Sequence, residues 1–297
     1  MKALRSLFWV LSLVLPVTAQ TLVQNLDATS TVDWRTLTLR CTGNSSLANT
    51  QRTQKMEALE RARLAAEQRL AKAVEALPYD SERRVAELLP KRAGLAAALA
   101  EAVKRFTIVD QRSLSDMSVE LDIELPILEQ LYPLLLPKRM GHARLRLSDT
   151  PLCPTCGQPW PEGKPVPEGV TLIIPSQGYA GGDDQPFTGL VVDARGLGFR
   201  PALLPAVLSQ AGDQVYGADY VSREVALKNG LMSYHTRVKR ALNDERVGRR
   251  PMFVRAVAVR GRLKADVVVS DSDALLVHAA AKVHNFLREG RVVVITD

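Results

Sequence analysis

The residues best suited to chemistry are few, and the sharpest group is Cys153-Pro154-Thr155-Cys156-Gly157. Two thiols separated by two residues and followed by glycine form a turn that can clamp one side of a zinc ion. A structural zinc site takes four ligands, and the chain has no second pair with this spacing. Cys41 and His142 would contribute only if the fold brought them in; otherwise two chains would share one ion. A local disulfide or spare thiols is therefore the first expectation for Cys153 and Cys156. Metal binding is the second. Redox exchange is the third, because the pair sits in a proline-rich stretch and not where a helix N-terminus would lower a thiol pKa. Zinc is the one cofactor this chemistry leaves open.

Asp193 and Arg195 stand two apart at the end of an apolar strand pattern, so they project to one side. They either pair with each other or face a ligand, as residues at strand ends often do. Gly196-Leu197-Gly198 follows, but it lacks a third glycine and runs into Phe199-Arg200-Pro201, which should not open a phosphate-cradling helix. A tight turn is expected there. Gly181-Gly182-Asp183-Asp184 offers too few oxygens for calcium and reads as a loop. His278 and His284 lie about 240° apart around one helix, so they cannot grip a metal together. His278 is expected to be partly buried and His284 solvated.

Residues 237–264, from Arg237 to Lys264, hold ten basic residues against Asp244 and Glu245. Arg249, Arg250, Arg255, Arg260 and Arg262 would form a surface for phosphate, lipid headgroups or acidic glycans, or else a solvated face whose arginines meet carboxylates elsewhere. Only Tyr234 and Phe253 stand nearby, so the stacking platform for single-stranded nucleic acid is missing and no specific nucleic-acid partner is expected.

The elements that must carry these residues can be read from periodicity. Residues 31–42 alternate as a strand, closed by turn chemistry at Gly43-Asn44-Ser45-Ser46. Residues 51–77 form the clearest helix, with Met56, Leu59, Ala66, Leu70, Val74 and Leu77 on one stripe and Pro78 as its stop. A second helix capped by Asp80 or Ser81 is divided or kinked at Pro90 and continues through Leu95, Leu99 and Val103. Met117, Val119, Leu121, Ile123 and Leu125 alternate with polar residues, a strand with one wet face, and residues 106–112 are its hairpin partner. A short helix over 127–136 and a strand over 143–147 follow. Residues 149–169, with six prolines and three glycines, read as a linker or insertion. Strands are then expected over 170–174, 188–193, 252–259, 265–270 and 291–296, with a helix over 274–288 capped within Ser270-Asp271-Ser272-Asp273. The fold class is α+β: an antiparallel sheet with long helices over 21–148, then a mixed α/β unit over 170–297.

The first nineteen residues have the pattern of a signal peptide. Lys2 and Arg5 precede an apolar run over 6–15, Pro16 breaks it, and Val17-Thr18-Ala19 offers a cleavage site. The run is shorter than the roughly 20 residues a spanning helix needs. Removing Lys2 and Arg5 leaves 37 basic against 32 acidic residues, a net charge of +5, which alone selects no partner. A soluble chain, periplasmic or extracellular, is the expectation.

The order of an N-terminal Trp34-bearing strand, a long Ala/Arg/Glu-rich helix, a second helix and a hairpin ending in the MSVELDIELP strand resembles the LPP20-like envelope domain and the N-terminal domain of flagellar assembly protein T. The resemblance covers about residues 31–136 and continues into TGLVVDARGLGFRPALLP, DVVVSDSDA and RVVVITD. The chain departs from it in lacking a lipobox cysteine and in carrying the Cys153/Cys156 insertion. The resemblance implies a non-enzymatic envelope or surface-assembly role, with envelope or surface-assembly proteins as partners, and carries over no functional residues. A thiol or zinc-knuckle protein and an anionic-polymer or membrane-surface binder stand as the alternatives.

Overall fold

Asp33 decides how the folded chain begins. Its side chain accepts the backbone N–H groups of Arg35 (2.8 Å) and Thr36 (3.4 Å), an Asx turn that ends one strand and starts the next. Residues 31–42 are therefore two strands and not one, with Leu37 at φ 52° in the turn between them. The computed structural model describes residues 22–45, 53–115, 118–181 and 185–297. Residues 1–19, where the sequence pattern suggests a signal peptide, Met117, and Gly182, Asp183 and Asp184 of the expected glycine-aspartate loop lie outside the described residues.

The first half runs β1 (Val23–Asn25), β2 (Ser30–Asp33), β3 (Thr38–Ser45), α1 (Thr53–Ala76), α2 (Leu95–Val103), β4 (Thr107–Ser113), β5 (Val119–Pro126), α3 (Ile127–Gln130) and α4 (Tyr132–Leu135). Its strands make one antiparallel sheet ordered β1-β2-β3-β5-β4. Burial alternates residue by residue along β5, as its sequence period requires. Edge strand β4 is exposed throughout, bulged between Ile108 and Asp110, and tied by Arg112 to Asp110, Glu120 and Asp122.

Helix α1 lies unusually close to this sheet. The reason is a stripe of small residues, because Ala58, Ala62, Ala66 and Ala73 are all fully buried beside Leu70, Val74 and Leu77. Gly43 completes the fit: a Cβ there would sit 2.4 Å from the Ala66 Cβ and 2.6 Å from the Ala62 carbonyl oxygen. Gly43 is thus a point of close approach inside β3 and not the turn its Gly-Asn-Ser context implies. Beyond α1, Asp80 closes a turn by accepting the N–H groups of Glu82 and Arg83. A 3-10 turn, Val85–Lys91, holds Pro90, and α2 starts only after Gly94 at φ 78°.

The second half runs β6 (Gly189–Asp193), β7 (Ala206–Ser209), β8 (Gln214–Tyr216), α5 (Arg223–Asn229), β9 (Ser233–His235), α6 (Val238–Leu242), β10 (Pro251–Arg255), β11 (Ala258–Arg260), β12 (Asp266–Val269), α7 (Asp271–Val283) and β13 (Val292–Ile295). A parallel sheet ordered β10-β6-β13-β9 stands beside a mixed sheet ordered β11-β12-β7-β8, so the fold is α+β, with an antiparallel first sheet and then one parallel and one mixed sheet. The Ser270 hydroxyl caps α7 by accepting the Asp273 N–H at 3.0 Å, and the helix ends at Val283, short of the expected Arg288. Residues 143–147 and 170–174 are not strands. Ala143 N–H goes to the Asp219 carbonyl and Arg146 N–H to the His278 ring, so no common partner builds a ladder. Ile173 exchanges hydrogen bonds with Leu152 alone, as one isolated bridge.

The largest buried cluster belongs to both halves and includes Trp34, Tyr79, Leu125, Tyr132, Leu203, Tyr216 and Val294. Backbone and side-chain bonds cross the same seam: Leu203 N–H to the Pro78 carbonyl (2.9 Å), Leu204 N–H to the Tyr79 carbonyl (2.7 Å), and Ser81 hydroxyl to Asp266 carboxylate (2.5 Å). Gly261, at φ 87°, lets its turn press against Ser81, where a Cβ would fall 2.3 Å from the Ser81 Cβ.

Candidate anion-binding site

The parallel sheet sets out a row of side chains at the carboxyl ends of its strands. Its register aligns Arg255 of β10 with Asp193 of β6, Asp193 with Ile295 of β13, and Ile295 with His235 of β9. Strands spaced about 4.8 Å apart place His235 roughly 10 Å from Asp193 along this row. Ile295 packs with Val191, Val293, Ala241 and Val247 under α6, so the row shares the α6 face. The carboxyl ends of parallel strands are where open α/β sheets take ligands.

At one end of the row Asp193 is spoken for. Arg195 donates from Nε to Oδ1 (2.8 Å) and from Nη2 to Oδ2 (2.7 Å), and its backbone N–H adds a third bond. The Arg195 guanidinium holds the Asp193 carboxyl below the usual carboxylate range. The pair read from sequence is therefore a bidentate ion pair, with Arg195 also close to Asp297. Gly196 N–H donates to the Asp297 carboxylate, and Gly196 and Gly198 both have positive φ, which makes Gly196-Leu197-Gly198 a turn.

At the other end, His235 Nε2 lies 2.6 Å from Asp244 Oδ2. The His235 contact holds the Asp244 carboxyl below its ordinary range, and the Arg246 N–H at 2.8 Å adds to it. Arg246 in turn donates to the carbonyls of Gly290 (2.6 Å), Asn229 (2.7 Å) and Gly230 (2.7 Å), so the loop carrying Asp244 is fixed. A groove of about 670 Å³ opens beside the pair, lined also by Arg237, Lys239, Arg240, Asn243 and Glu245. Arg237, Lys239 and Arg240 are exposed, and among the described residues none of their side chains is committed to a carboxylate. Neither the His235–Asp244 pair nor this groove was singled out by the sequence. Strand β9 is three residues long and its His–Asp spacing matches no motif, so the only signal was the density of basic residues.

The arginines of the basic run are divided between the two sheets. Arg255 ends β10 beside Asp193, while Arg260 ends β11 and donates to the Gln210 carbonyl at 2.7 Å. Arg249 is exposed, whereas Arg250 lies 4.8 Å from the Phe187 ring centre and bonds the Ala180 carbonyl. Arg262 bonds Glu87 (2.6 Å) and the Glu82 carbonyl across the seam. A second hollow of about 250 Å³ is lined by Arg84, Arg200, Arg262 and Lys264, with Arg84 held by the Ala76 carbonyl. Two of its four cations are thus already engaged, which leaves the groove beside His235 as the better-endowed site.

The cysteines do not converge. Cys41 is buried in β3 against the Ser30 hydroxyl, and burial pushes its thiol up to about 11. Cys153 and Cys156 are free thiols in the proline-rich loop, Cys156 exposed. His142 lies 3.8 Å from Asp219. Among the described residues no group of three or more His, Cys, Asp or Glu side chains is arranged to hold a metal ion. His278 is buried, taking the Arg146 N–H on Nδ1 and reaching the Val215 carbonyl through Nε2. His284 is half-buried, and its Nδ1 is buried without a partner, so it is not the solvated residue its position implies.

Residues 189–297 match a family described as the second domain of Treponema pallidum Tp0624, a stretch running from the first residue of β6 to the end of the chain. No curated protein matches the chain. The match gives no support to the LPP20-like or flagellar-assembly resemblance. Among the described residues no helix is long and apolar enough to cross a membrane.

Proposed function

We propose that this chain is an exported, non-catalytic binding protein of the cell envelope, and that it takes an anionic ligand in the groove between β9 and α6. The observation that carries the reading is the set of three cations, Arg237, Lys239 and Arg240, which have no carboxylate partner among the described residues and stand around the fixed His235–Asp244 pair. Clustered cations beside a concave wall raise the local concentration of anions. Export rests on the charge, apolar run and cleavage pattern of the first nineteen residues. The assembly role rests on the resemblance of residues 31–136 to envelope domains.

The groove is tested by retention of the mature protein on immobilised heparin over a salt gradient. Each cation that neutralises an anionic group adds roughly one to the slope of log K against log salt. Arg237→Glu with Arg240→Glu should lower that slope by about two and elute earlier, while Arg61→Glu on α1 should leave both unchanged. Equal retention of the groove variant and the parent would remove the proposal. N-terminal sequencing of protein from the envelope fraction should begin at Gln20; recovery with Met1 from the cytosol would overturn export.

A further inference from the structure

Edge strand β4 is left open by the fold. It ends the first sheet beyond β5, and every residue of Thr107–Ser113 is exposed. Ile108 and Val109 lie bare at 47% and 51%, and the strand has neither the lysine nor the proline with which proteins commonly blunt such an edge. Its protective feature is the bulge between Ile108 and Asp110, which confines a regular ladder to residues 109–113. The Leu114 N–H donates to the Ser118 carbonyl, in register with the Ser113–Val119 and Arg112–Glu120 pairs. Backbone groups alternate in direction along an antiparallel strand, so Gln111 and Ser113 turn theirs away from β5. Among the described residues no strand pairs with that side of β4.

We infer that two copies of this chain pair through β4, antiparallel about a two-fold axis at Gln111, so that their first sheets join into one. Charge selects this register. Centred on Gln111, it sets Asp110 opposite the partner's Arg112 and Arg112 opposite the partner's Asp110, an attractive pair on each side of the axis. Centring one residue either way opposes Asp110 with the partner's Asp110, or Arg112 with the partner's Arg112, and both are destabilising. The backbone agrees, since Gln111 faces outward and can exchange two hydrogen bonds with the partner's Gln111. Arg112 is already shared among Asp110 (2.7 Å), Asp122 (2.9 Å) and Glu120 (3.0 Å), so each Asp110 has room for a second guanidinium. Glu120 and Asp122 of the two copies would stand three strand spacings apart, roughly 14 Å. That exceeds the Debye length of about 10 Å at 0.1 M salt, so their repulsion is screened while the Asp110–Arg112 pairs touch. The proposal stands apart from the anion groove, since it uses none of its residues.

The test is sedimentation of the mature protein over a concentration series. A reversible dimer with a Kd on the order of 10–100 µM is expected, as suits a contact of one short strand. Asp110→Lys and Arg112→Glu should each raise that Kd about tenfold when alone, because like charges then oppose each other on both sides of the axis. Mixed in equal amounts they should restore the parent affinity, since every mixed pair again sets a cation against an anion. Circular dichroism of each variant should match the parent, because both residues are exposed. Gln111→Cys, in a chain also carrying Cys153→Ser and Cys156→Ser, should give a disulfide-linked dimer on mild oxidation, because the axis brings the two Cα atoms to about 5.5 Å. A chain that stays monomeric up to about 1 mM would overturn the proposal. So would a parent dimer whose charge variants gain nothing from mixing. Cross-linking of Gln111→Cys only to a different polypeptide in an envelope extract would also overturn it, in favour of a foreign strand added at the same edge.

Discussion

Gly43→Ala is the sharpest probe of how the first half is held together. The added methyl would meet the Ala66 Cβ at 2.4 Å and the Ala62 carbonyl oxygen and Ala66 nitrogen at 2.6 Å. Carbon–carbon contacts settle at about 3.5–4.0 Å, so α1 and β3 must separate by roughly 1 Å. Neither can do so locally. β3 is hydrogen-bonded on both sides, to β2 and β5, and α1 is buried along a stripe from Ala58 to Leu77. Overpacking of this kind costs about 1–3 kcal/mol. For a chain of this size that lowers Tm by about 2–4 °C per kcal/mol, so a fall of roughly 2–12 °C is expected in a thermal melt followed by circular dichroism. Ala66→Gly removes one of the three clashing atoms but leaves the two backbone atoms, and it costs about 1 kcal/mol of helix propensity. The double variant should therefore stay below the parent. A Gly43→Ala melt within about 1 °C of the parent would refute the close-approach argument, as would full recovery in the double variant.

Burial raises the Asp266 carboxyl above 3.8 despite its bonds to Ser81 and Ala206, so the folded chain keeps a proton that the unfolded chain has lost. Its contribution is fully present below 3.8 and is lost as pH rises through the folded-state value; Asp266→Asn should flatten that slope in urea denaturation across acidic pH. His278 has the opposite sign. Burial lowers it below 6.5, so stability falls as pH drops from 6.5 through the folded-state value, and His278→Gln should remove that fall in the same assay. Arg246→Met strands the carbonyls of Gly290, Asn229 and Gly230, and should cost about 2 kcal/mol in the urea midpoint extrapolation. A smaller loss than about 0.5 kcal/mol would show that water replaces the guanidinium.

Long periodic elements were legible because one physical signal dominated each. The β5 alternation, the α1 stripe and the Ser270 cap all stand where residue pattern alone puts them. What escaped was decided by tertiary contact. Alanines weigh little in a hydrophobic pattern: of the buried alanines only Ala66 was in the stripe read from the sequence, yet Ala62 and Ala66 together set the helix-to-sheet distance because Gly43 meets them. Residues 143–147 look like a strand, but their neighbours in space offer a histidine ring and scattered carbonyls in place of a strand edge. The row from Arg255 to His235 is created by parallel register, which joins residues up to 102 positions apart in sequence, Asp193 with Ile295. The turns at Asp33 and Asp80 were readable and missed, since an Asp whose carboxylate can take the N–H groups two and three residues later is a local signal.

The seam through Ser81, Leu203 and Arg262 bears on what can be cut away. The stretch 189–297 that carries the family match would, if expressed alone, present to water the sides of Leu203, Val207 and Tyr216 that now share a core with Tyr79 and Tyr132. Such a fragment would leave Asp266 without its serine and the Leu203 N–H without the Pro78 carbonyl. It should be sticky and poorly cooperative, and adding back residues 22–148 as a separate polypeptide should restore one shared melting transition.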